Sequence, residues 1–314
     1  MTVLVNLIVT LGMLYVVPTG LRLIDRTAFR RTARLWPLLA APGALCLWLP
    51  RGATATVLAA LYAAAALALA ARAPVRLLRT LPRTGSPVPV PSEAAVLTAL
   101  VSPAVAGSAL VAERAGYRLF GFDLDVLALT VPHFHFAGFT AALVAGLVCR
   151  ATVTGGAPGT DAGRADAGRA DAGLPDAGRA AAGPGAPPAR WAAYSVPSGT
   201  LLVLLGYFIG DWAELVGAAV LTAGMWAVAL ATWRGIRPGA RDRTTRTLLA
   251  TSAGVLVATM LLALWWATGE ATGITHPTLT WMAATHGLGN AVGFALCSLL
   301  AWRRLTMDRQ EMTR

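Results

Sequence analysis

Residues 53–71 have the sequence ATATVLAALYAAAALALAA, and Arg72 follows directly. This run contains no charged residue, and as a helix rising about 1.5 Å per residue it nearly matches a hydrocarbon core of about 30 Å. A helix that is apolar on every side has no face to present to water, so it belongs in a membrane or inside a bundle. The stretch predicts an all-α fold, a polytopic transmembrane helix bundle.

The composition of the whole chain supports the same class. The chain has 314 residues, of which 56% are hydrophobic and 13% are charged, and its mean hydropathy is +0.61. A protein with these values is not expected to be a water-soluble enzyme. The formal net charge is +11, and every basic residue is an arginine. The arginines form short clusters between apolar runs instead of a basic face interleaved with aromatic residues, so we expect the lipid bilayer and not nucleic acid as the partner.

Nine apolar runs are found with a window of about 19 residues. They cover residues 2–19, 35–50, 53–71, 93–112, 126–149, 194–210, 213–232, 247–267 and 278–301. The second and sixth runs are short for a complete crossing, so each is either a full span or a re-entrant segment. The pattern predicts about nine spans.

The arginine distribution predicts how these spans are oriented. Of the 26 arginines, 23 follow the odd-numbered runs, and only Arg51, Arg114 and Arg118 lie in the alternate connections. Cytoplasmic loops are enriched in arginine, so the N-terminus is predicted outside and the C-terminus inside. We therefore expect a multi-pass protein of the cell membrane.

A polar, low-complexity segment divides the chain. Residues 161–179 repeat the pattern DAGRA, in which aspartate and arginine nearly cancel and nothing apolar is large enough to bury. Such a segment predicts a disordered cytoplasmic linker over residues 151–190. The predicted organisation is helices one to five in 1–150, this linker, helices six to nine in 191–302, and a cytoplasmic tail in 303–314.

Three of the four histidines lie inside apolar runs. His133 and His135 occur in TVPHFHFAGF of run five, and His286 occurs in WMAATHGLGNAVGF of run nine. At about 1.5 Å per residue, all three lie about 10 to 14 Å from the outer surface. Ionisable residues within spans mark functional sites by default, although each histidine can also be a buried packing group with one hydrogen bond.

The two neighbouring histidines are expected to face different directions. Positions i and i+2 of a regular helix are about 200° apart, so only one of them faces a common site unless Pro132 distorts the helix. We favour His135 as the inward one, because it shares a helix face with Gly138, and this glycine permits a neighbouring helix to approach closely. In run nine, Asn290 shares a face with His286 and is placed to orient its imidazole or to contact a ligand.

Acidic residues cluster near the predicted outer ends of the spans. With the fourth histidine they predict a polar vestibule above the histidine site, the alternative being ordinary solvated loop charges. The set is Glu113, Asp211, Glu214, Glu270 and His276.

The motifs HFHFAGF and THGLGNAVGF resemble those of the YndJ-like family of bacterial integral membrane proteins, with similar hydropathy over most of the chain. The resemblance implies a multi-pass membrane protein, and members are sometimes labelled transporters without an established substrate. His133, His135, His286 and Asn290 are the positions that match the motifs.

Three functions are compatible with this pattern. The first is a transporter or small-solute binder in which His133, His135, His286 and Asn290 bind the solute or relay protons. The second is a membrane enzyme or sensor in which His135 and His286 ligate a metal ion or a haem. The third is a non-catalytic accessory subunit. The residues favour the first function, and a protein that is not an enzyme.

Overall fold

The computed structural model of the chain describes residues 2–84, 90–154 and 186–311, and no strand occurs in these ranges. The predicted DAGRA linker at residues 161–179 lies outside the described residues. The described chain is helical almost throughout, as the apolar runs predict. The all-α interpretation is therefore confirmed.

Thirteen α-helices follow one another within the described ranges. They are α1 (Thr2–Leu11), α2 (Val17–Ile24), α3 (Arg30–Cys46), α4 (Ala53–Ala70), α5 (Arg72–Thr84), α6 (Pro91–Arg114), α7 (Leu124–His133), α8 (Ala141–Thr154), α9 (Ala186–Ile209), α10 (Asp211–Ala231), α11 (Arg243–Thr272), α12 (Leu279–Met282) and α13 (Cys297–Glu311).

Several of these helices are joined end to end by π-helical turns, which add one residue to a turn and often occur at functional sites. The π-helical segments are Gly12–Val16, Phe134–Thr140, Thr232–Ile236, Ala283–Gly287 and Gly289–Leu296. The segments Gly12–Val16 and Gly289–Leu296 both pack against Phe134–Thr140. Three departures from α geometry thus meet in the bundle, and two of them overlap the quoted histidine motifs.

Eight continuous helices of the described chain are long and apolar enough to cross a membrane. They are Val3–Ile24, Ala53–Leu81, Pro91–Arg114, Leu124–Thr152, Pro187–Ile209, Asp211–Gly239, Arg243–Thr272 and Leu279–Asp308. The prediction of nine spans is one more than this number. The difference is the second run, which forms α3.

Helix α3 has 17 residues and is therefore shorter, at about 25 Å, than a typical hydrocarbon core. It nevertheless brings the chain back to the end of the bundle where it began. The Asn6 side chain, near the start of α1, donates a hydrogen bond of 2.8 Å to the carbonyl of Leu47, just after α3. Without this return, α4 would begin at the opposite end. Helix α3 thus returns the chain along the bundle, and a ninth complete crossing beside the eight spans of the described residues stays a prediction.

The helices on both sides of the predicted linker are longer than expected. Helix α8 continues to Thr154, and α9 begins at Ala186, so the predicted boundaries at 150 and 191 cut into both helices. The sixth run is therefore not a short segment, because Pro187–Ile209 is one of the eight spans. The Pro and Gly content around residue 185 suggests a linker, but proline is tolerated in the first turn of a helix, so α9 begins earlier than predicted.

Glycines bring α9 and α10 into backbone contact. A Cβ atom on Gly199 would lie 2.6 Å from the Leu221 backbone, and one on Gly217 would lie 2.5 Å from the Val203 backbone. Gly206 likewise faces the backbone of Glu214. Because membrane helices associate through close packing of small residues, this hairpin is tightly held. It also places Tyr207, the neighbour of Gly206, beside Glu214.

The three arginines that break the alternation all have acidic partners. Arg51 donates to Glu113 at 2.9 Å, Arg114 also pairs with Glu113, and Arg118 lies 2.9 Å from Asp123. Glu113 is only 1% exposed, so this carboxylate needs its partners. The three arginines thus share two carboxylates, which offsets part of the positive charge at this end.

Charge pairs also join the helices at the other end of the bundle. Arg76 holds Glu93 with two hydrogen bonds of 2.7 and 2.8 Å, and Arg304 reaches Asp242 at 3.3 Å. Asp242 caps α11 by accepting from the Thr245 backbone N–H at 2.8 Å. The hydrogen bonds from Thr245 lower the pKa of the Asp242 carboxyl from its ordinary value. This end therefore also has a few charge pairs between helices.

Candidate functional site

His133 and His135 point in different directions, although a π-helical segment begins directly after His133. The distortion expected from Pro132 is therefore present, but it does not bring the two imidazoles together. His133 lines a cavity, whereas His135 is 0% exposed and packs on the opposite side of the helix. The packing therefore does not support the preference for His135 as the residue facing a site, since His133 and not His135 borders the cavities.

His135 belongs to a closed aromatic cluster. Its Nδ1 donates to the Val131 carbonyl at 2.7 Å, and its Nε2 accepts from the Tyr62 hydroxyl at 2.6 Å. The carbonyl can only accept, which fixes the proton on Nδ1. The rings of His135 and Tyr62 are stacked at 5.9 Å, and Trp36 contacts Tyr62 edge-on at 6.4 Å. Both nitrogens of His135 are thus used in packing.

The same cluster explains the glycine of the first π-helical segment. A Cβ atom on Gly12 would lie 3.0 Å from the Cβ of His135, so the first span can approach this histidine only through a glycine. On the other side, a Cβ atom on Gly43 would lie 2.7 Å from the Tyr62 side chain. His135 is therefore a core residue against which helices from the N-terminal half of the chain pack.

His133 has the opposite environment. Within the part of the chain that the structure describes, its imidazole contacts the Phe134 ring at 5.6 Å and forms no hydrogen bond with another residue. It borders two adjoining cavities. A neutral imidazole has one donor and one acceptor, so both are available to a molecule in the cavity.

His286 is held by a ring of hydrogen bonds between α11 and the last span. Its Nδ1 donates to the Thr259 carbonyl at 2.8 Å, and its Nε2 accepts from the Asn290 amide at 3.0 Å. The Asn290 oxygen accepts from the Thr259 hydroxyl at 2.7 Å, which closes the ring. The carbonyl again requires the proton on Nδ1, so this imidazole is neutral with a defined tautomer. Asn290 therefore orients His286, as its spacing predicts.

Two glycines of the second motif allow this ring to form. A Cβ atom on Gly289 would lie 2.8 Å from the Thr259 side chain, and one on Gly293 would lie 2.7 Å from Val255. Because neither glycine has a side chain, the two helices come close enough for His286 to reach a main-chain carbonyl of α11. The motif THGLGNAVGF thus combines close packing with a polar contact.

Two cavities meet at these histidines. One has a volume of about 130 Å³ and the other about 660 Å³. They share a wall that includes His133, Tyr207, Trp266, His286 and Asn290. The larger cavity is lined mainly by apolar side chains and extends to Phe120, which is 73% exposed. Its size is within the range of small-molecule sites, about 300 to 1,000 Å³.

The structure brings only part of the predicted vestibule to the cavities. Glu214 lines the smaller cavity, and its carboxylate forms a hydrogen bond with the Tyr207 hydroxyl. Asp211 and Glu270 are close enough to Glu214 for their charges to interact with it. His276 lies 3.3 Å from Glu270 and lines neither cavity.

Glu113 lies elsewhere. Its carboxylate is enclosed by Arg51, in the connection between α3 and α4, and by Arg114 at the end of α6, and it lines neither cavity. The packing therefore does not support its assignment to the vestibule, because its depth can be read from the sequence but the arginines that enclose it cannot. Glu113 therefore has a structural role in joining two helix ends.

Sequence analysis missed several residues of the site. Tyr207 and Trp266 lie within long apolar runs, where an aromatic residue is unremarkable in sequence. Thr259 gives no signal at all, because the group that binds His286 includes its main-chain carbonyl. Only the packing of α11 against the last span identifies it.

The pairing of His135 with His286 as metal ligands is not what the structure shows, since both nitrogens of His135 are bonded to Tyr62 and Val131. Across residues 2–84, 90–154 and 186–311, no three His, Cys, Asp or Glu side chains are close enough to hold a metal ion.

The fold and cavity define a multi-pass helical membrane protein with a polar site inside its bundle. The family model of the YndJ-like protein matches residues 7–294, nearly the whole chain. The chain therefore belongs to the YndJ-like family. No match to it was found among curated proteins or among solved structures.

Proposed function

We propose that this protein is a transporter or solute-binding protein of the membrane, with its binding site where the two cavities meet. The observation that carries the proposal is the contrast between His133, which has no hydrogen-bond partner among the described residues, and His286, which is locked in one tautomer. A free imidazole beside an ordered one offers both hydrogen-bonding capacity and a fixed geometry for recognition. His133, His286 and Asn290 are the proposed binding residues, and His135 has a structural role.

Access to the site supports a transport-like arrangement. The larger cavity extends to Phe120 at one end of the bundle. Toward the other end, residues 141–149 of α8 are all buried, so the bundle is closed there. A site open to one side only fits one state of an alternating-access cycle.

A thermal-shift screen with a counter-variant tests the binding site. Detergent-purified protein is heated with a panel of small amines, amino acids, sugars and alcohols, in parallel with His133→Ala. A solute that binds the folded state at about 100 times its Kd adds about 2.7 kcal/mol of stability, so a clear rise in Tm is expected for the original chain. The same solute should give a much smaller rise with His133→Ala.

Two results would contradict this proposal. Equal shifts in both proteins for every active solute would place binding away from His133. Purified protein that carries a stoichiometric metal or an absorption band of haem, lost in His286→Ala, would favour the metal or haem function instead.

We also propose the orientation that the arginines predict, with the N-terminus outside and the linker and C-terminus in the cytoplasm. In support, the three arginines at the predicted outer end are paired with Glu113 and Asp123. In a chain whose three cysteines are replaced by alanine, Ala170→Cys should resist an impermeant thiol reagent in intact cells. Tyr117→Cys, on the connection after α6, should be labelled. The reverse pattern would overturn the orientation.

A further inference from the structure

The two cavities differ in chemistry although they share a wall. Both are lined by His133, Tyr207, His286 and Asn290, and the smaller one, the polar chamber, adds the carboxyl group of Glu214. The larger one adds mostly apolar side chains of α1, α6, α7 and α9, and it ends among the rings of Phe120, Phe122 and Phe208. A polar chamber joined to an apolar chamber is the shape of a site for an amphiphile.

Among the described residues, the ionisable groups around the polar chamber are acidic apart from its histidines. Glu214 lines it, and Asp211 and Glu270 lie within electrostatic reach of Glu214. No arginine is among the described residues that line either cavity, and the whole chain has no lysine. A phosphate or carboxylate would therefore meet carboxylates without a compensating cation. A positively charged head group would be attracted.

Aromatic rings add to this preference. Tyr207 and Trp266 line both cavities, so a cation in the polar chamber has two aromatic side chains beside it as well as the carboxyl group of Glu214. Cations bind favourably over Trp and Tyr rings, most strongly where water is excluded. The hydrocarbon chain of the ligand contributes little to selectivity, because the bilayer is as apolar as the larger cavity. The head group therefore decides which ligands bind.

We propose that the substrate class is a cationic amphiphile, with an amine or quaternary ammonium head between Glu214 and His133 and an alkyl chain in the larger cavity. This inference rests on the proposed function, because it specifies the ligand of the same site. It requires no covalent step and no metal ion. It predicts that the sign of the head-group charge, at constant chain, decides binding.

A charge series with one chain tests this. The probes are 11,12-dibromododecyl-trimethylammonium, 11,12-dibromododecanol and 11,12-dibromododecanoate, added to the protein in phosphatidylcholine nanodiscs. Bromine quenches nearby tryptophan, and the quenching lost in Trp266→Phe reports occupancy of the cavity, since Trp266 lines it. We expect the cation to bind at least about tenfold more tightly than the anion, with the alcohol in between.

A matched pair of variants locates the charge. Glu214→Gln should reduce the preference for the cation to below about threefold while leaving the alcohol unchanged. Asp308→Asn removes the same charge from the last helix at the opposite end of the bundle, and it should leave the preference intact. Were Glu214→Gln to fold poorly, the charge series on the original chain still decides the question.

The outcomes separate this inference from the function on which it rests. Equal binding of all three probes, abolished by His133→Ala, would overturn the cationic preference but keep the solute site. Preference for the anion, or no Trp266-dependent quenching by any probe, would overturn the amphiphile. The thermal-shift screen decides independently whether the site binds solutes at all.

Discussion

His133 and His135 lie two residues apart in one motif, yet they differ in every contact. His135 is fully buried, with both nitrogens bonded to Tyr62 and Val131. His133 faces two cavities and has no hydrogen-bond partner among the described residues. An intramembrane histidine is therefore not a site by itself. The decisive feature is whether neighbouring helices already use its two nitrogens.

The largest effect is expected for His135→Leu. The substitution removes two hydrogen bonds and leaves the buried Tyr62 hydroxyl without its acceptor, so we expect a loss of about 2 to 4 kcal/mol. Thermal unfolding in nanodiscs, followed by circular dichroism, measures it. Adding Tyr62→Phe should recover part of the loss, because no polar group is then left unpaired. Unchanged stability of His135→Leu would refute the structural role.

The next effect concerns the packing that positions His286. In Gly289→Val the new side chain meets Thr259, whose Cγ2 lies 2.8 Å from the position of a Cβ, and overpacking costs about 1 to 3 kcal/mol. Gly254→Val in α11 is the control, since a Cβ atom there meets nothing within 4 Å. It should unfold at nearly the original temperature. If both variants lose stability equally, close packing at Gly289 is not the reason.

A smaller effect is expected for Asn290→Leu, which opens the hydrogen-bond ring around His286. Interhelical hydrogen bonds in membranes average about 0.6 kcal/mol, so the loss of stability should be about 1 kcal/mol. The informative measurement is the ¹⁵N spectrum of histidine-labelled protein. The Nε2 resonance of His286 should shift toward that of an unbonded acceptor, while the His135 resonances stay in place. A shift of His135 instead would show that the two clusters are coupled.

The smallest effect on stability is expected for His133→Leu. No hydrogen bond to another described residue is lost, so the change should stay within about 0.5 kcal/mol of the original chain. Solute binding in the thermal-shift screen should nevertheless disappear. At His133 binding is thus lost without a loss of stability, whereas the change at His135 lowers stability. A variant that unfolds easily would mean that His133 is a packing residue like its neighbour.

The helical bundle and the common depth of the two motifs follow directly from the sequence. Hydropathy predicts the helices, and the depth of the motifs predicts that they lie close together; His133 and His286 border one cavity. The four-residue spacing predicts that Asn290 orients His286, and their side chains are hydrogen-bonded. These features depend on the spacing of residues within one helix, and this spacing can be read directly from the sequence.

Two expectations lack support from the packing for the same reason, which is contact between residues distant in sequence. His135 shares a face with Gly138, which favours it as the residue facing a site, but Tyr62, 73 residues away, satisfies it. The depth of Glu113 favours the vestibule, but Arg51 from the connection between α3 and α4 pairs with it. Periodicity within one helix gives the faces of that helix and leaves open which neighbour each face meets.

The class of this protein can be read from its amino-acid sequence alone, because each long apolar run is a local property that a bilayer selects residue by residue. The positions of the costly polar groups can be read there as well. Which of these groups are satisfied depends on how the helices pack, since a nitrogen such as that of His286 is bonded to a main-chain carbonyl of another helix. No pattern of side chains encodes such a partner, so the free imidazole of His133 became visible only when the helices were packed.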